Sequence, residues 1–244
     1  MTSGPLYGLS SDLRPLYQET FTSDTAWRGS LIREGKQWGK TKGIQVDWPR
    51  FADTWRNGYR PMLDRVRRGE LPWMNLDRLH RLLLDPLLSE FGMVELSEAE
   101  KDHFIRIWHR LKPWPDSVAG LRRLRKKFTL ATLSNGNIAL LTNMAKHARL
   151  PWDCILSAEL ARHYKPDKET YQMAAELLAL APQEIMMVAA HPDDLRAAQS
   201  LGFKAAFVAR PLEWGRLQAP DPVPDSGFDV VADDFRDLAS KLGA

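Results

Sequence analysis

The sequence predicts an α/β protein, a doubly wound parallel sheet covered by helices, together with a compact helical unit. Beyond residue 112, short apolar runs alternate with helical patterns, which is how βαβ units and a parallel sheet read. From Trp27 to about residue 111, by contrast, apolar residues recur at helical spacing and no strand signal interrupts them. A third observation places a site. Three polar clusters fall just after predicted strands, so they share the sheet edge where ligands gather in such folds.

Taken in order, residues 1–28 form an atypical N-terminal segment. It carries Pro5 and Pro15, scattered polar residues and no run of four apolar ones, so an irregular stretch is expected, with a short turn near Asp12. Residues 29–111 make the helical unit. A helix is predicted over Arg28 to Lys40, ended by Gly39 and Gly43. In the next, Phe51, Trp55, Tyr59, Met62, Leu63 and Val66 form one apolar stripe that stops near Gly69. Leu76 to Phe91 carries another, with Pro86 expected to bend or divide it. Ser97 and Glu100 fit a capping box that opens a helix through Phe104, Ile105 and Trp108.

Residues 112–244 make the α/β part, entered through the rigid Lys112 to Asp116. Strands are predicted at Phe128 to Leu133, Cys154 to Ser157, Ile185 to Ala190, Lys204 to Val208 and Asp229 to Ala232. Helices are predicted at Ser117 to Lys126, from Ile138 to about His147, at Lys168 to Leu180 and at Pro192 to Leu201. The loop from Arg210 to Phe228, rich in Pro, Asp and Gly, reads as surface. There are no internal repeats.

Composition excludes several classes. Hydrophobic residues are 44% of the 244, enough for a sizeable core. Lys and Arg number 34 against 31 Asp and Glu, and a net charge of +3 is too small for a dedicated nucleic-acid binder, although the pI is near 9.0. The basic run Arg122 to Lys127 is expected at the solvated end of a helix, where the helix dipole favours it. A single cysteine, Cys154, excludes an internal disulfide and a multi-cysteine zinc site, and its apolar neighbours argue for an inert thiol. No apolar stretch reaches membrane-spanning length and the N-terminus lacks a signal-peptide core, so no membrane association and a cytoplasmic location are expected.

The polar clusters carry the chemistry. Ser134 and Asn135 follow the first predicted strand and open a helix, whose leading N–H groups suit an anion. His163-Tyr-Lys-Pro-Asp opens the helix that contains Tyr171, and His191-Pro-Asp-Asp follows the strand ending at Ala190. Each cluster also has a plain structural reading. Serine and asparagine build turns, Lys165 could be a solvated helix-start charge, and Asp193 or Asp194 could cap a helix. Their recurrence in this order at strand ends raises the functional reading above the structural one.

That order resembles the haloacid dehalogenase superfamily, most closely its type II 2-haloacid and haloacetate dehalogenase branch. The resemblance rests on Trp27-Arg-Gly-Ser-Leu-Ile-Arg-Glu-Gly, Leu133-Ser-Asn-Gly-Asn, His163-Tyr-Lys-Pro-Asp and Met187-Val-Ala-Ala-His-Pro-Asp-Asp-Leu-Arg-Ala-Ala, and it runs from Trp27 to the C-terminus. It implies a Rossmann-like core with a helical cap inserted after the first strand. It also implies displacement of halide from a small 2-haloacid by an aspartate, giving an ester that water hydrolyses. On this resemblance Lys165 holds the nucleophile ionised, Asn135 and Arg56 receive the halide, and Ser134 bonds a carboxylate. His191 and Asp194 position the hydrolytic water and balance Lys165, and Tyr171 lies near the substrate. A small carboxylate is the implied partner, no cofactor or metal is required, and a homodimer is expected because such relatives often form one.

One part departs from the family pattern. The first motif should be a buried strand ending in the nucleophilic Asp, but that position before Trp27 holds Glu19, with no apolar run ahead of it. Three explanations compete: a substitute carboxylate at Glu19, Asp24 or Asp12; a catalytically dead relative that binds small anions or regulates; and an altered N-terminal coding segment. Loss or alteration ranks above substitution. A magnesium-dependent phosphatase of the same superfamily is the further alternative, weakened because its first-motif aspartates are also missing.

Overall fold

The computed structural model describes residues 14–18, 25–215 and 227–244, with the backbone alone for 14–18. Six parallel strands form one sheet in the order β3-β2-β1-β4-β5-β6. They are β1 (Arg14–Gln18), β2 (Phe128–Ser134), β3 (Cys154–Ser157), β4 (Met186–Ala189), β5 (Lys204–Val208) and β6 (Val230–Ala232). The chain winds outward from β1 to β2 and β3, then returns to the other side of β1 for β4 to β6. Reversal of winding beside β1 creates the crevice that doubly wound sheets use for ligands.

β1 corrects the expectation of a wholly irregular N-terminal segment. Arg14–Gln18 pairs along its length with β2, and Leu16 to Gln18 pair with β4, so this stretch holds the centre of the sheet. A parallel ladder is made by backbone groups, and the strands on both sides supply the buried apolar surface that β1 lacks in sequence. All seven residues of β2 are buried. The turn expected near Asp12, and Glu19 and Asp24, lie outside the described residues.

Alternate residues of the strands enter two apolar layers, as the two-residue period of a strand requires. Val188, Ala206 and Val208 join the layer under α5 (Ser117–Leu124) and α10 (Phe235–Lys241). Met187, Ala189, Ala205 and Phe207 join the layer under α8 (Lys168–Leu177) and α9 (Pro192–Ser200). Helices thus cover both faces. On the first face Gly120 meets the backbone of Phe235 so closely that an added Cβ would lie 2.4 Å from the Phe235 Cβ. The basic run after α5 is largely exposed, as expected.

Between β1 and β2 the chain makes α1 (Trp27–Lys42), α2 (Trp48–Arg67), α3 (Leu76–Glu90) and α4 (Glu98–Ile105). Gly43 ends α1 in the left-handed conformation (φ 71°), which glycine adopts without steric cost. The predicted stripe of α2 turns inward, with Phe51, Trp55 and Leu63 buried. α3 continues through Pro86 as one helix rather than dividing. The Ser97–Glu100 capping box is formed, but α4 stops at Ile105, and Trp108 sits in a separate 3-10 turn. Trp27, Phe51, Trp55, Phe104 and Trp108 build an aromatic core, joined by Leu140, Leu141 and Met144 of α6 (Ile138–Ala148) on the sheet side. The two passages between helices and sheet run together, with Ala26 N–H donating to the Lys112 carbonyl (2.9 Å). Cys154 is only half-buried, and burial raises its thiol pKa.

Candidate active site

Residues that follow β2, β3 and β4 form one wall of a cavity of about 580 Å³, and α2 forms the other. At the end of β2 the Ser134 hydroxyl accepts the Gly136 N–H (3.2 Å), and the Gly136 carbonyl accepts the Ser157 hydroxyl at the end of β3 (2.5 Å). These bonds knit the turn to the sheet and set Asn135 on the cavity wall. Ser134 itself is fully buried and does not line the cavity. The Asn135 side-chain oxygen accepts the Lys165 N–H (2.8 Å), which fixes the loop carrying that lysine.

Lys165 Nζ donates to Asp194 Oδ2 at 2.6 Å, with side-chain exposures of 6% and 11%. Tyr171, fully buried on α8, donates its hydroxyl to the other oxygen of Asp194 (2.5 Å). Asp194 therefore has both oxygens engaged, and it fixes the Lys165 side chain at the cavity wall. Asp194 follows β4 in the first turn of α9, a favourable end for negative charge. His191 precedes α9 on the same wall, its Nε2 3.2 Å from Glu213 Oε2. Asp193, next to Asp194 in the chain, is exposed at the rim and 3.7 Å from Arg60 of α2.

The opposite wall presents Arg56. Its guanidinium carbon lies 4.5 Å from the Tyr59 ring centroid and 5.8 Å from those of Trp27 and Trp214. Aromatic faces hold a cation without using its in-plane N–H groups. The buried Arg56 Nε has no hydrogen-bond partner among the described residues. Behind Tyr59 lies His80, fully buried and stacked on Trp108 at 4.4 Å. Burial, aided by the nearby Arg56 cation and opposed by Asp77, pushes His80 down to about 3, so it is neutral at ordinary pH.

Polar contacts tie α2 and α3 to the sheet edge around the cavity. Arg67 reaches Asp167 at 2.8 Å, the Tyr164 hydroxyl donates to the Met74 carbonyl (2.7 Å), and Asn137 donates to Asp77 (2.9 Å). Burial opposes ionisation of Asp77, but hydrogen bonds from His109 and Asn137 outweigh it and hold the carboxyl below its usual range.

The structure thus gathers Arg56, Asn135, Lys165, His191 and Asp194 on one cavity, with Tyr171 reaching it through Asp194. Two residues of this site escaped the sequence reading. Glu213 is only 4% exposed and Trp214 lines the cavity beside Arg56, although both belong to a loop read as surface. The Trp214 side chain had one available signal, a large aromatic among prolines and glycines. Among the described residues no cluster of three or more His, Cys, Asp or Glu side chains is placed to hold a metal ion.

Such a chain is a doubly wound α/β protein with cations on both walls of a cleft at the strand ends. It belongs to the haloacid dehalogenase-like hydrolase family, whose model matches residues 12–202. Among curated proteins, (S)-2-haloacid dehalogenase 1 of Pseudomonas sp. (strain CBS-3) is 32% identical over 130 residues, 52% of this chain and 57% of that protein. Haloacetate dehalogenase H-2 of Moraxella sp. (strain B) is 29% identical over 131 residues, 50% of this chain and 58% of that protein. The chain thus spans little more than half the length of these curated relatives. Among solved structures, an L-2-haloacid dehalogenase is 44% identical with a TM-score of 0.91, covering 95% of this chain and 99% of that one. A defluorinating L-2-haloacid dehalogenase is 39% identical with a TM-score of 0.92, covering 95% and 96%.

Proposed function

We propose that this hydrolase displaces halide from small 2-haloacids through a carboxylate ester, without a metal. The observation that carries the reading is the position of Arg56. A guanidinium seated on aromatic faces across the cavity from Lys165 and Asn135 offers an anion its N–H groups. The names of the relatives support the same reaction class. Lys165 holds the attacking carboxylate ionised, Arg56 and Asn135 receive the departing halide, and Ser134 and Tyr171 support the sheet-edge groups. Residues 29–111 act as a cap over the edge of residues 112–244, the substrate is a small carboxylate, and the protein works as a cytoplasmic homodimer. Among the described residues no helix is long and apolar enough to cross a membrane.

Glu19 stands in the nucleophile position, immediately after β1 in the chain. Its extra methylene moves the attacking oxygen relative to aspartate, and misplacement on that scale costs roughly 10²-fold, so turnover is impaired. This departure favours a second reading, a small-anion-binding or regulatory protein on the same scaffold. Halide release from chloro-, bromo- and fluoroacetate and 2-chloropropionate, with EDTA present, separates the two. Release that disappears in Lys165→Ala establishes the dehalogenase. Halide binding without release sinks it in favour of the binding protein, and phosphate-ester hydrolysis that appears only with magnesium sinks it in favour of a phosphatase.

A further inference from the structure

We infer that Asp77 is a positioning residue that sets the spacing between Arg56 and Asn135; this rests on the reading of those two as halves of one anion seat. Arg56 stands on α2 in the helical unit, whereas Asn135 follows β2 at the sheet edge. Two groups on separate bodies can grip one small ion only if the bodies are held in register, since misplacement by about 1 Å weakens such contacts steeply. The Arg60–Asp193 pair at the rim is exposed and 3.7 Å long, too loose to hold that register. A firmer grip on the turn Asn135-Gly136-Asn137 is needed, and α3 supplies it.

Capping groups are exchanged between the helical unit and the sheet side. Asn137 is the N-cap residue of α6, a position whose side chain ordinarily accepts an N–H of its own helix. Here it makes no such bond. It is 2% exposed, and its Nδ2 donates instead to Asp77 Oδ2 in the first turn of α3 (2.9 Å). Its oxygen is buried with no hydrogen-bond partner among the described residues, so the bond to Asp77 sets its orientation. The Ile138 N–H at the head of α6 is taken by Glu159 Oε2 (2.8 Å), and Glu159 Oε1 accepts the Nδ2 of Asn75, the N-cap of α3 (3.1 Å). The heads of α3 and α6 thus meet, and the two carboxylates between them offset their like-signed dipole ends. Asp77 has a second line to α6. Its Oδ1 lies 3.0 Å from His109 Nε2, and Asn143 Nδ2 lies 3.0 Å from His109 Nδ1. Asp77 does not line the cavity, so it bears on an anion only through the turn that carries Asn135.

Two measurements on the full chain test this, with Asp77→Ala and with Asn137→Ala, which removes the donor but leaves Asp77 to His109. The first is bromide titration by calorimetry, with Arg56→Met marking the heat that belongs to the seat. Both variants, while folded, are expected to bind bromide about tenfold more weakly, the loss of roughly one hydrogen bond to an ion. Parent affinity in variants whose melting temperature has dropped would reveal a merely structural role and overturn the inference. The second measurement needs no anion. In a Cys154→Ala background, spin labels at Leu82→Cys of α3 and Leu177→Cys of α8, both exposed, report the distance between the helical unit and the sheet. One narrow distance is expected in the parent, and a broadened or shifted one in both variants. Unchanged distances in both overturn the inference. Parent protein that takes up no bromide in an Arg56-dependent way sinks the anion seat instead, and the distances still decide whether Asp77 holds the register.

Discussion

The two walls of the cavity hold their cations by opposite means. On the sheet edge, Lys165 is bonded to a carboxylate, which is itself bonded to a tyrosine, and hydrogen bonds fix its loop. On α2, Arg56 rests on three aromatic rings, and among the described residues no carboxylate pairs with it. A charge fixed by hydrogen bonds is suited to aiming a partner group. A charge held by ring faces keeps donors for a ligand that comes and goes. One wall therefore fixes its cation by hydrogen bonds, and the other leaves in-plane donors of its cation open.

This contrast breaks most visibly at Lys165. Replacing it with methionine leaves Asp194 buried without its cation, so a loss of about 3–5 kcal/mol is expected by denaturant unfolding at neutral pH. A loss below about 1 kcal/mol would mean that the pair is not buried as described. His80 gives the next largest effect, through pH. An unfolded histidine ionises near 6.5, whereas His80 in the fold is held near 3. Between those values the unfolded chain binds the extra proton, so stability is full above about 6.5 and falls towards pH 3. The slope is about 1.4 kcal/mol per pH unit. Melting temperatures of the parent against His80→Leu should diverge in that window and run parallel above it.

Arg56 gives the smallest change in stability and sharpens the comparison most. Arg56→Met should cost only about 1 kcal/mol, the scale of a cation–π contact. The same variant should weaken chloride or bromide binding about tenfold or more by calorimetry, since it removes the N–H donors. Equal losses of stability at Arg56 and Lys165 would erase the distinction between the walls.

The legible parts of the chain were those whose signal is local. β3 and β5 have the bounds that their apolar runs predict, and the Ser97 box marks the start of α4. Asn135, His191 and Asp194 lie on the cavity just after apolar runs that form strands, whereas Lys165 comes eight residues beyond β3, past the short helix α7 (Ala158–Ala161). What failed was nonlocal. β1 has no apolar run, and its place comes from backbone pairing with two strands more than a hundred residues away. Glu213 looks like any charged loop residue until the segment after β5 folds back on His191. The C-terminal helix α10 is a different case. Its signal was present, with the Asp234 side chain accepting the Asp237 N–H at 2.8 Å and Phe235, Leu238 and Ala239 on one face.

The aromatic seat of Arg56 also makes the cavity self-reporting. Trp27 and Trp214 meet edge to face at 5.3 Å, and each lies 5.8 Å from the arginine that would receive an incoming anion. Indole emission responds to nearby charge and is quenched by heavy halides. The chain has nine tryptophans, but Trp214 is the one lining the cavity. Occupancy can therefore be followed optically on unlabelled protein, with iodide dimming the emission more than chloride. A Trp214→Phe variant supplies the blank.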